Sequence, residues 1–243
     1  MALTSPGFDT LQAARRSVYS MIGDTVSFVN SSAWQQGSAG AVASRDVFRG
    51  LVQQRRLLSQ LKSWRSACDS LSAPARALEA FAILEAHVTL AELWVKAAPE
   101  RSESAFGAER PAFAWIVACA SAHISQEHNR HLEGAPFNFE LGWVTPLFYT
   151  ALKCRDTSLR KQAVSLLSCL PGLEGIWQGD RLASLAKRVV EREMGDGELF
   201  QRVAAGPAYT EDGKVKFKAH YTLSEPDDST LARTFSEVLV LSS

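Results

Sequence analysis

Over most of its length this chain repeats apolar residues at the spacing of an α-helix, and only near the C-terminus does that period fall to two. From Thr10 to about Val29 the residues Leu11, Ala14, Val18, Met21, Ile22 and Val26 share one helical face, with Asp9 placed to cap it. A Ser, Gly, Gln and Asn-rich stretch follows, so residues 30–46 are expected to form a mobile loop. Leu51, Leu57, Leu58, Leu61 and Trp64 restore the helical pattern between Val47 and Leu71. Ser72 and Pro74 mark the start of the next helix, which is expected to reach Ala97.

Pro111 opens a strongly apolar helix, PAFAWIVACASAHISQEHNRHL, which Gly134 and Pro136 end. A further helix covers Val144 to Lys153. After the turn Cys154-Arg155-Asp156, with Asp156 as cap, Leu159, Ala163, Leu166 and Leu167 form an apolar stripe. These two antiparallel helices resemble one HEAT-type pair, and a last helix runs from Leu182 to Glu193. Only then does KVKFKAHYTL alternate, placing Val215, Phe217, Ala219 and Tyr221 opposite Lys214, Lys216, Lys218 and His220. With SEVLVLSS it predicts a small β-hairpin over residues 209–243, and its alternating strand leaves room for edge pairing with another copy. The expected fold class is mainly α: a multi-helix bundle with HEAT-like helical pairs and a small C-terminal β-hairpin, one domain over 1–243.

Lys plus Arg number 26 and Asp plus Glu number 26, so no global positive field draws the chain to phosphates, and direct nucleic-acid binding is disfavoured. No segment approaches the roughly 20 apolar residues that span a bilayer, and the N-terminus lacks an apolar run of signal-peptide length. No membrane association and a cytoplasmic or nuclear location are the expectations. Four scattered Cys, none in a CxxC pair, do not make a disulfide framework, and all four are expected to be reduced. There is no glycine-rich phosphate loop, dinucleotide fingerprint or GxSxG elbow. No cofactor or metal is therefore expected.

The segment PLFYTALKCRD, with LRKQA and EGIWQG at the following spacings and LASLAKRVVERE after them, resembles the C-terminal regulatory region of fungal zinc-binuclear-cluster transcription factors. The resemblance extends from FDTLQAARRSVYSMI near the start to the basic strand KVKFKAHYTL. It implies an all-helical regulatory scaffold, associated in that family with metabolic and secondary-metabolite genes, and it identifies no catalytic residue. The six closely spaced Cys of the family's zinc module are missing; Cys68, Cys119, Cys154 and Cys169 cannot supply them. The resemblance therefore implies a transcription-factor-like regulatory or ligand-binding protein that does not itself bind DNA and that works through a small apolar metabolite or effector, or through a protein partner.

An alternative reading is a cofactor-independent cyclase or isomerase of fungal natural-product biosynthesis, its effector pocket turned to a reactive intermediate. His87 and His123 would then be its catalytic acid and base, since both fall at the edge of apolar stripes and imidazole titrates near neutrality. Each is more often a core histidine satisfied by a hydrogen bond. His123, Glu127 and His131 recur every four residues and share a helical face, but a solvated helix end is the commoner meaning of such a pattern. Trp94, Trp115, Trp143, Phe148 and Tyr149 are candidates to line an apolar ligand site. Arg155 is expected to fix its turn through Asp156 or Glu174, or to take a ligand carboxylate; Cys154 between Lys153 and Arg155 is a candidate for a depressed pKa, but the family resemblance implies a thiol that packs the turn.

Overall fold

The structure is a computed structural model and describes residues 7–31, 41–99, 103–127, 137–138, 141–170, 173–174, 177–196, 200–212, 214–223 and 234–240. Its packing falls into two compact units, Met1–Arg101 and Ser102–Ser243.

In the first unit, α1 spans Leu11–Val29, α2 Ala41–Ala67, the short α3 Ala73–Arg76 and α4 Glu79–Ala97. Thr10, rather than Asp9, caps α1, its side chain accepting from the Ala13 N–H. The helical turn restarts at Ala41, inside the expected loop, while residues 32–40 of that loop lie outside the described residues. Ser72 caps α3 as expected, but the chain breaks again at Leu78, which has extended backbone angles, before α4 begins. Most of the periodic residues are buried, among them Ala14, Val18, Leu57, Leu61, Leu84, Leu90 and Ala91, while Val26 and Leu51 are exposed. Trp64 fastens α2 to α1 by donating its indole N–H to the Ala14 carbonyl at 3.0 Å, while its ring stacks on Phe81. A buried indole needs such an acceptor, because an unpaired N–H in an apolar setting costs about 1–3 kcal/mol.

In the second unit, a 3-10 turn over Glu103–Glu109 leads into α5, Arg110–Glu127, followed by α6, Val144–Lys153, α7, Thr157–Ser168, and α8, Gly179–Asp196. Two-residue strands join in a small sheet: β1, Phe137–Asn138, runs parallel to β2, Leu173–Glu174, which is antiparallel to β3, Trp177–Gln178. Asp156 caps α7 as expected, accepting from the Leu159 N–H at 3.0 Å. The mainly helical class holds, and the C-terminal appendage is a three-stranded antiparallel sheet: β4, Phe200–Glu211, β5, Lys214–Leu223, and β6, Thr234–Val240.

Strand β4 is the strand the alternation does not reveal. Its register with β5 shifts between Ala205 and Ala208, around Gly206-Pro207, so no strict period two survives in its sequence. Glycine at 206 has a spatial reason as well, since a Cβ there would stand 3.2 Å from the Lys218 carbonyl oxygen. The connection to β5 begins at Asp212 with φ 52°, the left-handed conformation that Asp tolerates in a two-residue hairpin turn. Because β5 lies between β4 and β6, the edges of this sheet are β4 and β6, and the alternating strand is the centre, not an edge open to another copy. Its inward set, Phe217, Ala219, Tyr221 and Leu223, packs with Leu152, Leu185, Val189 and Phe200 in one buried cluster. Each large apolar side chain closed off there contributes on the order of 1.5–3 kcal/mol. No helix among the described residues is long and apolar enough to cross a membrane.

Candidate functional site

Helices α7 and α8 bury one face each. On α7 these are Leu159, Arg160, Ala163 and Leu167; on α8 they include Leu182, Leu185, Ala186, Val189 and Glu193. Where the two helices meet at the surface, Lys161, Val164 and Ser165 of α7 face Lys187, Val190, Glu191, Met194 and Gly195 of α8 across an open groove of about 620 Å³. The floor is aliphatic, with Val190 buried and Val164 half-buried, and Met194 supplies an unbranched, polarisable side chain able to adapt to a ligand's shape. Two lysines and one glutamate on the rim favour a ligand with an apolar body and an anionic end.

The same two helices also hold a buried charge cluster. Arg160 donates its Nε–H to the Ala151 carbonyl at 2.7 Å, and its Nη1 forms an ion pair with the Glu193 carboxylate. Arg155 Nη1 lies 3.8 Å from the same carboxylate. Glu193 Oε1 accepts the backbone N–H of Phe200, so one side chain links α7, α8 and the first residue of β4. Burial pulls the Arg160 guanidinium below its ordinary range, and the facing Glu193 charge opposes that pull. Arg155 thus faces Glu193 of the last helix, a residue distant in sequence from its own turn. Asp156 is engaged with Arg110, whose Nε–H donates to Oδ2 at 2.7 Å. The Leu159 N–H and then Arg110 hold the Asp156 carboxyl below the usual carboxylate range. The side chain of Glu174 lies outside the described residues.

A second set of charges ties β6 to α8. Arg188 donates to both oxygens of Glu237 at 3.1–3.2 Å, while Arg192 lies 3.7 Å from Oε1 and sits 4.6 Å over the Phe235 ring.

His87 is buried on α4 of the first unit and His123 is half-buried on α5 of the second. His123 stacks on Trp143, with ring centroids 6.1 Å apart and planes at 21°. The side chain of Glu127, and His131 altogether, lie outside the described residues. Trp94 belongs to α4 in the first unit. Trp115, Trp143, Phe148 and Tyr149 belong to the second, where Tyr149 meets Phe106 edge-on at 5.8 Å and Phe148 packs against the inner face of the C-terminal sheet. None of these aromatic residues lines the α7–α8 groove. The groove's walls are solvent-side residues of helices whose buried stripes dominate the pattern. Met194, exposed beside the buried Val190, is the one apolar residue out of phase with those stripes that could have pointed to it.

Cys154 is fully buried, and burial raises its thiol pKa, which fits a thiol that packs the turn rather than a reactive thiolate. All four cysteines are free; Cys169 is exposed, not packed among its apolar neighbours. Among the described residues, no group of three or more His, Cys, Asp or Glu side chains converges in a way that could hold a metal ion. No protein family, curated protein or solved structure matches this chain.

Proposed function

We propose that this chain is a regulatory, ligand-binding module of the fungal transcription-factor type that acts without contacting DNA itself and controls genes of secondary metabolism. The observation that carries the reading is the α7–α8 groove, an adaptable aliphatic floor with a cationic rim, built from the segment whose sequence resembles that regulatory region. Its ligand is a small apolar effector with an anionic group. Equal numbers of acidic and basic residues support action through an effector rather than through the phosphate backbone.

Deleting the gene while following transcripts and metabolites together tests this. Loss of a defined set of pathway transcripts, restored by the wild-type chain but not by Met194→Glu, is the expected result; Met194 is exposed, so the variant changes the groove without disturbing the core. The alternative, a cofactor-independent cyclase or isomerase, rests on the half-buried His123 held against Trp143. Conversion of an accumulated intermediate by the purified protein, lost in His123→Ala, would replace the regulatory reading with that one.

A further inference from the structure

Helix α2 presents to solvent a face unlike the rest of the chain. Its inward residues, Gly50, Leu57, Leu61, Trp64 and Ala67, are buried. On the opposite side Phe48 is 67% exposed and Val52 52%, flanked by the exposed Val47 and Leu51. One turn further along the same face stand the exposed Arg55 and Arg56, and then Lys62. Over its 27 residues α2 carries six basic side chains and one acidic one, Asp46, which pairs locally with Arg49. Arg65 is engaged by Glu92 of α4. In a chain of zero net charge, this concentrates positive charge beside an uncovered apolar strip.

We infer that this face of α2 docks a helical segment of a partner protein whose apolar stripe is flanked by Asp and Glu. Phe48 and Val52 supply the desolvated centre of the contact, and Arg55, Arg56 and Lys62 meet the partner's carboxylates. Charge disfavours the simplest alternative occupant: a second copy brings one more cationic helix face against this one, with six basic side chains and one acidic one on each α2. Duplex DNA leaves Phe48 and Val52 without a counterpart. An anionic bilayer suits basic-apolar helices in general, but here the apolar strip covers only two turns, and the remaining stripe of the helix is already spent on the core. The surface belongs to the first unit and the groove to the second, so the two readings stand or fall separately.

The test uses the full chain and a fluorescein-labelled amphipathic peptide, about 18 residues long, with Leu at helical spacing and Glu on both flanks. A composition-matched peptide with the Leu stripe scrambled serves as the comparison, and anisotropy is read at low and high salt. The expected result is saturable binding to the striped peptide, weakened about tenfold by Phe48→Ser with Val52→Ser and about tenfold by Arg55→Glu with Arg56→Glu. The charge variant should also lose most of its salt dependence. All four positions are exposed, and unchanged melting temperatures confirm that each variant folds. Binding by either variant as tight as that of the wild-type chain, equal binding of the scrambled peptide, or no binding at all overturns the inference. So does stronger capture by phosphatidylserine vesicles or by duplex DNA, or a dimer in light scattering that Phe48→Ser with Val52→Ser dissolves.

Discussion

The Glu193 carboxylate accepts the backbone N–H of Phe200 at 3.0 Å, tying the last turns of α8 to the first residue of β4. The same carboxylate neutralises Arg160 and faces Arg155, so the C-terminal sheet is anchored through a charge that is itself closed off from solvent. Replacing Glu193 with Ala leaves the buried Arg160 guanidinium without its carboxylate and the Phe200 N–H without its acceptor. The expected loss is about 3–5 kcal/mol, the range for breaking a buried pair from one side. The double variant Arg160→Met with Glu193→Met should recover a large part of it, because an apolar pair removes the desolvation penalty along with the attraction. Urea midpoints of the three proteins check this; a double variant no better than Glu193→Ala would show that the charge pairing is not what the cluster contributes.

Glu193 also shows how far the sequence could be read. The helices announce themselves through local spacing: α6 begins and ends where its periodicity does, and Asp156 caps α7 because a cap depends only on the next three residues. Glu193 sits in an acidic helix end, VVERE, that reads as solvated. Its burial depends on Arg160, supplied by α7, and on a strand whose bulge at Gly206 hides the alternation. Such pairings are non-local and leave no periodic trace. The aromatic candidates lie away from the groove for a related reason: an aromatic residue on a helix tends to pack inward, whereas the groove is lined by Val164, Val190 and Met194.

Glu237 gives the protein an acid-sensitive attachment of β6. Burial alone pushes its carboxyl up, but the two-pronged hydrogen bonds from Arg188 and the nearby Arg192 outweigh it and hold the pKa below the ordinary 4.5. A depressed carboxylate contributes stability that is present above the unfolded value and lost as pH falls through the lower folded value. Stability should therefore hold down to about pH 4.5 and decline below it, while Glu237→Gln, lower by about 1 kcal/mol at pH 7, should show a flatter acid limb. Melting temperatures of both proteins across that range measure the difference; parallel curves would count against this pair.

Glu85 on α4 has the opposite sign. Burial raises its carboxyl above 4.5 despite the lowering influence of Arg65 and Arg76. The folded chain then holds a proton more tightly than the unfolded chain, so this group's contribution falls as pH rises between the unfolded and folded values and is a net penalty at neutrality. Glu85→Gln should raise the melting temperature at pH 7 and give no gain below pH 4. A lower melting temperature at pH 7 would mean that the attraction of Arg65 and Arg76 exceeds the cost of burial.

The cysteines should separate by burial rather than by neighbouring charge. Cys68 is closed in beside α4, and burial, reinforced by Glu85 and Asp69, pushes its thiol up to about 12. Burial likewise raises Cys154 despite Arg155 and Arg160 nearby. Only a thiolate attacks a disulfide reagent at a useful rate, and it must also be reached. In the native protein at pH 8, Cys169, which is exposed, should be modified first. Cys68 and Cys154 should react only as fast as the chain opens, and both should become available in concentrated guanidinium. Timed labelling with an aromatic disulfide, followed by peptide mass mapping, reads the order directly. Labelling of Cys154 in step with Cys169 would restore the reactive-thiol reading of the Lys153-Cys154-Arg155 turn and would place a mobile element over it.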